Sequence, residues 1–490
     1  MQRRAFLRGL GATAAGMAAG RGAFAAQAAP RRPSIVFILM DDLGWTDVGY
    51  MGSEYYETPN IDRLARQGMV FTNAYTNAPN CAPTRASLLS GQYTPRHGVY
   101  TVGSSERGSS RHRRLIPVAN TTDLSTDIVT IPEVLGPAGY VSACIGKWHL
   151  GGGPEHSPTA QGFDVSFDRS QAGYGGGHFS PPLTRRLNPG QPREYLTDRL
   201  TDEALRFVDA NQDRSFFLYL AHHAVHTPLE AQEDLIAKYR NKPPRGGHSN
   251  PVYAAMIESA DQSVGRVTAK LDELGLTQDT LVVFFSDNGG VGGYRELGVM
   301  GGAITSNAPL RGGKGMLYEG GIRVPMIVRW PRRVRAGSRC RVPVIGLDFY
   351  PTFLEAAGIG ARPARPLDGL SLVPLLRGAD RLPRDAVFWH FPAYLEASQN
   401  TWRTTPAGAV RQGDYKLQEF FEDGRVELYN LRDDIAEKRD LSATMPGRAR
   451  ALRDLLVQWR ESLGASVPTQ PNPQYAPNAT GKPDQPGVSP

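Results

Sequence analysis

The apolar residues of this chain are laid out in two grains. From Ser34 onward, unbroken apolar runs at 35–40, 140–145, 216–220, 281–285 and 324–328 alternate with stretches of helical period at 61–67, 131–137, 197–211 and 253–274. An unbroken run suits a strand buried on both faces, and strand–helix alternation predicts a mostly parallel sheet covered by helices on both sides. Past residue 382 the grain shortens. Strands are expected at 387–391, 407–411, 415–421 and 426–429, with Gln412-Gly413-Asp414 and Glu422-Asp423-Gly424 as turns. A helix over 447–463 follows, carrying Leu452, Leu455, Leu456 and Trp459 on one face. The expected fold class is therefore α/β: a large mostly parallel or mixed sheet sandwiched by helices over 31–382, then a smaller antiparallel α+β subdomain over 383–465. The Gly/Pro-rich stretch 150–195 reads as a long binding loop, and the Pro- and Asn-rich residues 466–490 as a surface-draped tail.

Composition adds little beyond confirming a globular chain: 490 residues, 40% hydrophobic and 21% charged. The formal net charge of +7 includes Arg3, Arg4, Arg8 and Arg21 in a leader without acids, so a chain lacking that leader would stand near 7 − 4 = +3. No Lys/Arg run has the footprint of a nucleic-acid binder. Gln2-Arg3-Arg4-Ala5-Phe6-Leu7-Arg8 resembles a twin-arginine export signal, which implies the Tat translocase as a partner and the bacterial periplasm, or secretion, as the destination. The apolar segment behind it is short of the roughly 20 strongly apolar residues of a membrane span. With no cysteine nearby, no membrane anchor is expected, and residues 1–30 are set aside as a signal peptide. Three cysteines (Cys81, Cys144, Cys340) give no disulfide framework; a Cys144–Cys340 bond is arithmetically open but has no support from spacing.

Candidate chemistry begins at Cys81, in Asn80-Cys81-Ala82-Pro83-Thr84-Arg85-Ala86-Ser87-Leu88-Leu89-Ser90-Gly91. Pro83 suits a first helical turn and Gly91 a left-handed cap, so Cys81 falls at a helix start, where free N–H groups favour an anion. Arg85 projects along the same face one turn on. Two pairs of oxygen ligands, Asp41-Asp42 and Asp287-Asn288, follow buried strands; three carboxylates and an amide oxygen suit a hard divalent cation, Ca²⁺ or Mg²⁺. Each pair alone also has a capping or turn explanation. In Gly146-Lys147-Trp148-His149, an extended backbone would put Lys147 and His149 on one face, able to hold a cation and a proton acceptor around one anion.

Cys81-x-Pro83-x-Arg85 with the Ala86–Gly91 continuation, together with Gly139–Gly151, resembles the signatures of the type I, formylglycine-dependent sulfatases of the alkaline phosphatase superfamily. The resemblance implies that a formylglycine-generating enzyme converts Cys81 to Cα-formylglycine, the nucleophile. It also implies an alkaline-phosphatase-like fold and a metal held by Asp41, Asp42, Asp287, Asn288 and residue 81. His226, before x-Pro, matches the leaving-group histidine. Lys314, in Arg311-Gly312-Gly313-Lys314-Gly315, matches the sulfate-binding lysine; Glu319 and Arg323 are expected to brace that loop. Catalysis would then fall to Cys81, Arg85, Lys147, His149, His226 and Lys314, with Lys147, His226, Lys314 and His178 meeting the substrate. The expected substrate is a sulfated saccharide, with an aryl sulfate also open. A phosphodiesterase or phosphonate monoester hydrolase of the same superfamily is the nearest alternative, and a non-catalytic glycan-binding relative a more distant one.

Overall fold

A computed structural model describes residues 31–183, 192–299, 303–360, 365–398 and 401–476. The proposed signal peptide, part of the long loop and the end of the tail lie outside these residues. Within them, no helix is long and apolar enough to cross a membrane.

The apolar runs form the centre of one mixed sheet. Its strands are β1 (Ser34–Met40), β2 (Met69–Phe71), β3 (Val141–Gly146), β4 (Val165–Phe167), β5 (Phe216–Ala221), β6 (Thr280–Ser286), β7 (Ile327–Arg329) and β8 (Ser338–Cys340). Their order is β8-β2-β7-β6-β1-β5-β3-β4. β1 lies parallel between β5 and β6, in the register Ile35 opposite Phe217 and Leu281. β7 runs antiparallel to both β6 and β2, which makes the sheet mixed. Every residue of β1, β5 and β6 is buried, the burial their uninterrupted apolar sequence predicts. Alternate β1 side chains feed two cores, one on each face: Ile35, Phe37 and Leu39 in one, Val36, Ile38 and Met40 in the other. The second core is closed by the helices Leu196–Ala210 and Pro251–Glu273, the first by Phe349–Ala356.

Two expectations change in detail. The 150–195 stretch is not all loop, because Val165–Phe167 joins the sheet edge beside β3. Cys144 and Cys340 are free and buried, on strands near opposite edges of the sheet.

The C-terminal sheet is antiparallel: β9 (Ala386–Phe391), then, beyond the β10–β11 hairpin (Leu395–Ser398, Thr401–Thr404), β12 (Ala407–Gln412), β13 (Tyr415–Phe420) and β14 (Val426–Asn430), with Pro446–Ser462 packed on it. It shares a core with the main sheet's loops through Trp389, whose Nε1 donates to the Thr76 carbonyl at 2.7 Å. Lys416, fully buried, joins Glu319 (3.1 Å) and Glu437 (2.9 Å), while Arg323 donates to Glu319 at 2.6 Å. Glu319 and Arg323 thus brace the glycine-rich loop, as its sequence predicts. The tail drapes along the surface as far as Ala476, whose amide donates to the Arg111 carbonyl.

Candidate active site

The carboxyl ends of β1, β3, β5 and β6 lie side by side, and the charged residues collect where these strands stop. β1 ends in Asp41 and Asp42, both buried; Asp42 takes φ 67°, a left-handed turn that aspartate tolerates. β6 ends in Asp287 and Asn288. The next residue, Gly289, passes so close to the lysine loop that a Cβ there would lie 1.9 Å from the Gly320 carbonyl oxygen. That close approach anchors Lys314, whose amide donates to the Gly290 carbonyl.

Cys81 opens the helix Cys81–Ser90, all ten residues of which are buried, and Gly91 caps it at φ 68°. The Cys81 thiol points at the carboxylates, 3.3 Å from Asp41 Oδ1 and 4.0 Å from Asp42 Oδ1. Lys147 Nζ lies 2.5 Å from Asp41 Oδ2, and Lys314 Nζ 2.5 Å from Asp42 Oδ1. His226 Nε2 is 3.8 Å from Asp42 Oδ2, with its side chain 36% exposed. Its Nδ1 donates to the Thr227 carbonyl, which leaves Nε2 facing the pocket. The cleft outside Cys81 has a volume of about 500 Å³ and is lined by Asp42, His149, His226 and Lys314, among others.

Charge dictates the protonation states. Burial would raise the Asp41 carboxyl, but Lys147, His226, Arg85 and Lys314 outweigh it and hold it well below the usual carboxylate range. Burial and the neighbouring Asp41 push Asp287 up, with Arg85 opposing. Burial, reinforced by Asp287 and Asp41, drives the Cys81 thiol up, so an unmodified cysteine here stays protonated. Burial and the Lys147 charge lower His149 to about 3, leaving a neutral imidazole.

The donor set fits a hard cation. Asp41, Asp42 and Asp287 offer carboxylate oxygens. Asn288 gives its Nδ2 to Asp42 Oδ1 at 2.8 Å, while its buried Oδ1 has no hydrogen-bond partner among the described residues, an acceptor left for something that supplies positive charge. Asp41, Asp42, Cys81 and His226 also bring ligand atoms within 4.8 Å of one another.

Two sequence expectations need correction. Lys147 and His149 reach the site, but not by strand alternation: Gly146 (φ 106°) and His149 (φ 63°) are both left-handed, and a Cβ at 146 would strike the Ala221 carbonyl at 1.9 Å. Arg85 gives Nε (2.9 Å) and Nη2 (2.7 Å) to Asp287 Oδ2 and Nη1 to the Lys147 carbonyl, close enough to Cys81 for the two to interact electrostatically. His178 does not line the cleft. It is buried behind it, its Nε2 2.9 Å from the His226 carbonyl oxygen and its amide donating to Glu230. Tyr174, on the same loop, is buried too and donates to Glu194. Sequence reasoning missed Arg107 and Arg403, which also line the cleft; they are 296 positions apart with no motif around either.

Buried acids and bases gathered at strand ends of an open α/β sheet, around a residue at a helix start, define a hydrolase of charged esters. The Sulfatase family profile matches residues 33–359, and a second, N-sulphoglucosamine sulphohydrolase C-terminal, matches 313–459. A sulfatase of Formosa agariphila is 36% identical over 89% of each chain. Human N-acetylgalactosamine-6-sulfatase is 34% identical over 74% of this chain and 69% of its own. The crystal structure of Ps i-CgsB superimposes with a TM-score of 0.71 at 30% identity, covering 90% of this chain and 95% of that one. A phosphonate monoester hydrolase of Agrobacterium radiobacter, at 19% identity and TM-score 0.64, shares the fold. The chain belongs to the sulfatase family and is a sulfuric ester hydrolase.

Proposed function

We propose that the protein is an exported sulfatase that removes sulfate from a sulfated sugar or glycan. The observation that carries this reading is the convergence of Lys147, Lys314 and His226 on the carboxylates facing Cys81. Support for a glycan comes from the relatives: one is named an N-acetylgalactosamine-6-sulfatase, and Ps i-CgsB has been crystallised with a neocarrahexaose. Cys81 is taken as the precursor of formylglycine, which when formed supplies a hydroxyl nucleophile in place of the protonated thiol. Asp41, Asp42, Asp287 and Asn288 would hold a divalent cation, Ca²⁺ or Mg²⁺, which when bound supplies Lewis acidity beside residue 81.

The chain's own residues supply the rest. Lys147 and Lys314 are free to exchange their carboxylate contacts for non-bridging sulfate oxygens and so stabilise the charge that grows on them. His226 Nε2 stands at the open side of the cleft, where it can hand a proton to the departing sugar oxygen. His149, neutral, can take a proton on the inner side. Arg85 keeps Asp287 ionised and fixes the Lys147 backbone.

Modification of the unfolded chain before transport is compatible with twin-arginine export, which carries folded proteins, and Arg3→Lys with Arg4→Lys should strand the enzyme in the cytoplasm. The test of the activity is sulfate release from a panel of sulfated saccharides by protein co-produced with a formylglycine-generating enzyme. Release from at least one saccharide is expected; cleavage of aryl phosphate diesters alone would favour the phosphodiesterase alternative.

A further inference from the structure

Two cations in the cleft have no part in the account above. Arg107 comes from the loop after Thr101 and Arg403 from strand β11, so the C-terminal segment helps to build the site. Arg107 spends one Nη2 hydrogen bond on the Val102 carbonyl at 2.6 Å. The Arg403 guanidinium stacks on the Tyr294 ring, 4.8 Å from its centre, and its buried Nε has no hydrogen-bond partner among the described residues. Tyr294 in turn donates to the Lys314 carbonyl at 2.9 Å, tying this arginine to the loop that carries the sulfate-binding lysine. Among the described residues, neither guanidinium is paired with a carboxylate. Burial and the charge of Arg403 together hold Arg107 below the ordinary guanidinium range, as expected of two like charges in one partly covered cleft.

Such an arrangement is unfavourable until an anion arrives. The scissile sulfate is already served by Lys147, Lys314 and His226, so the two arginines are surplus to it. A neutral sugar entering over Val102 and Leu395 would cover them without pairing them. We propose that Arg107 and Arg403 form a subsite for a second anionic group, so that the preferred substrate carries, beside the sulfate that is removed, another sulfate or a carboxylate. This rests on the sulfatase reading and narrows it from sulfated saccharides to those with two anions close together. The planar guanidinium fork suits either oxyanion, and the stack on Tyr294 fixes one fork in place.

The test compares three probes: a monosulfated galactose, a disulfated galactose, and a disaccharide joining a sulfated hexosamine to a uronic acid. Binding is read by calorimetry on the Cys81→Ala protein, and kcat/KM on the formylglycine form. The wild type should favour at least one dianionic probe by about tenfold or more, the size of one good charge-assisted contact. In the Arg107→Gln/Arg403→Gln protein that preference should shrink to within about threefold, with loss carried mainly by KM, and lysine replacements should restore part of it. The disulfated and uronate arms tell which anion is read. Equal binding of the monosulfated and dianionic probes by protein with both arginines intact, or a preference that survives in the folded double variant, would overturn the subsite. Binding that discriminates without any sulfate release would leave the subsite standing and overturn the sulfatase reading instead.

Discussion

Arg85 gives two hydrogen bonds to a single oxygen of Asp287, Nε at 2.9 Å and Nη2 at 2.7 Å, with both side chains fully buried. The other Asp287 oxygen accepts from the Asp42 amide, 3.3 Å away, on the side of the neighbouring strand end. Removing one partner of a buried pair leaves an unpaired charge, at a cost of about 3–5 kcal/mol. Arg85→Ala is therefore expected to lower the melting temperature as well as abolish sulfate release. Arg85→Lys, which keeps the charge but not the fork, should recover part of the stability and little activity. Thermal melting and a sulfate assay on the same samples check both.

The unpartnered Asn288 Oδ1 predicts dependence on a hard cation. Chelation should remove activity and lower the melting temperature, and Ca²⁺ or Mg²⁺ should restore both. Saturation at about 100 times the dissociation constant is worth about 2.7 kcal/mol. Asn288→Ala should raise the cation concentration needed for half-maximal stabilisation, read by melting curves across a metal titration.

His226 separates substrates by leaving group. A phenol with a low pKa departs without help, whereas a sugar alcohol needs the proton. His226→Ala is expected to slow hydrolysis of a sugar sulfate by about 10²–10⁴-fold, the usual range for general acid catalysis, and that of a nitrophenyl sulfate far less. Parallel loss on both would assign the residue to binding.

Stability should fall in mild acid through His97. Its Nε2 contacts Ser87 Oγ at 3.0 Å and its Nδ1 accepts the Val99 amide at 3.2 Å, bracing the helix that begins at Cys81. Burial lowers it to about 3. The unfolded chain takes a proton near pH 6.5 that the folded one refuses, so this contribution is complete above 6.5 and declines as pH falls toward 3. At pH 5 the deficit is about 2 kcal/mol. His97→Gln should give a shallower loss of stability between pH 7 and 5 in denaturant titrations.

What could be read from the sequence follows locality. The Cys81 helix was legible because its start, Pro83 and its Gly91 cap fall within eleven residues, and β1, β5 and β6 because burial on both faces leaves an unbroken apolar run. The paired oxygen ligands were legible as strand ends. His149 reaches the site for a different reason: alternation assumes an extended chain, whereas Gly146, pressed against the Ala221 carbonyl, and His149 both take left-handed backbone. His178 was misplaced because no local pattern announces that the His226 carbonyl takes up its ring nitrogen. Arg107 and Arg403 could not be found, since their meeting depends on how a C-terminal hairpin closes over a distant loop.

The central claim is that the encoded Cys81 is only a precursor. Mass spectrometry of the peptide spanning Cys81, paired with sulfate release across preparations made with and without a formylglycine-generating enzyme, tests it most directly. Activity should rise in proportion to the fraction of peptide carrying an aldehyde in place of the thiol and vanish where the thiol is intact. Full activity in protein whose Cys81 is entirely thiol would contradict the account.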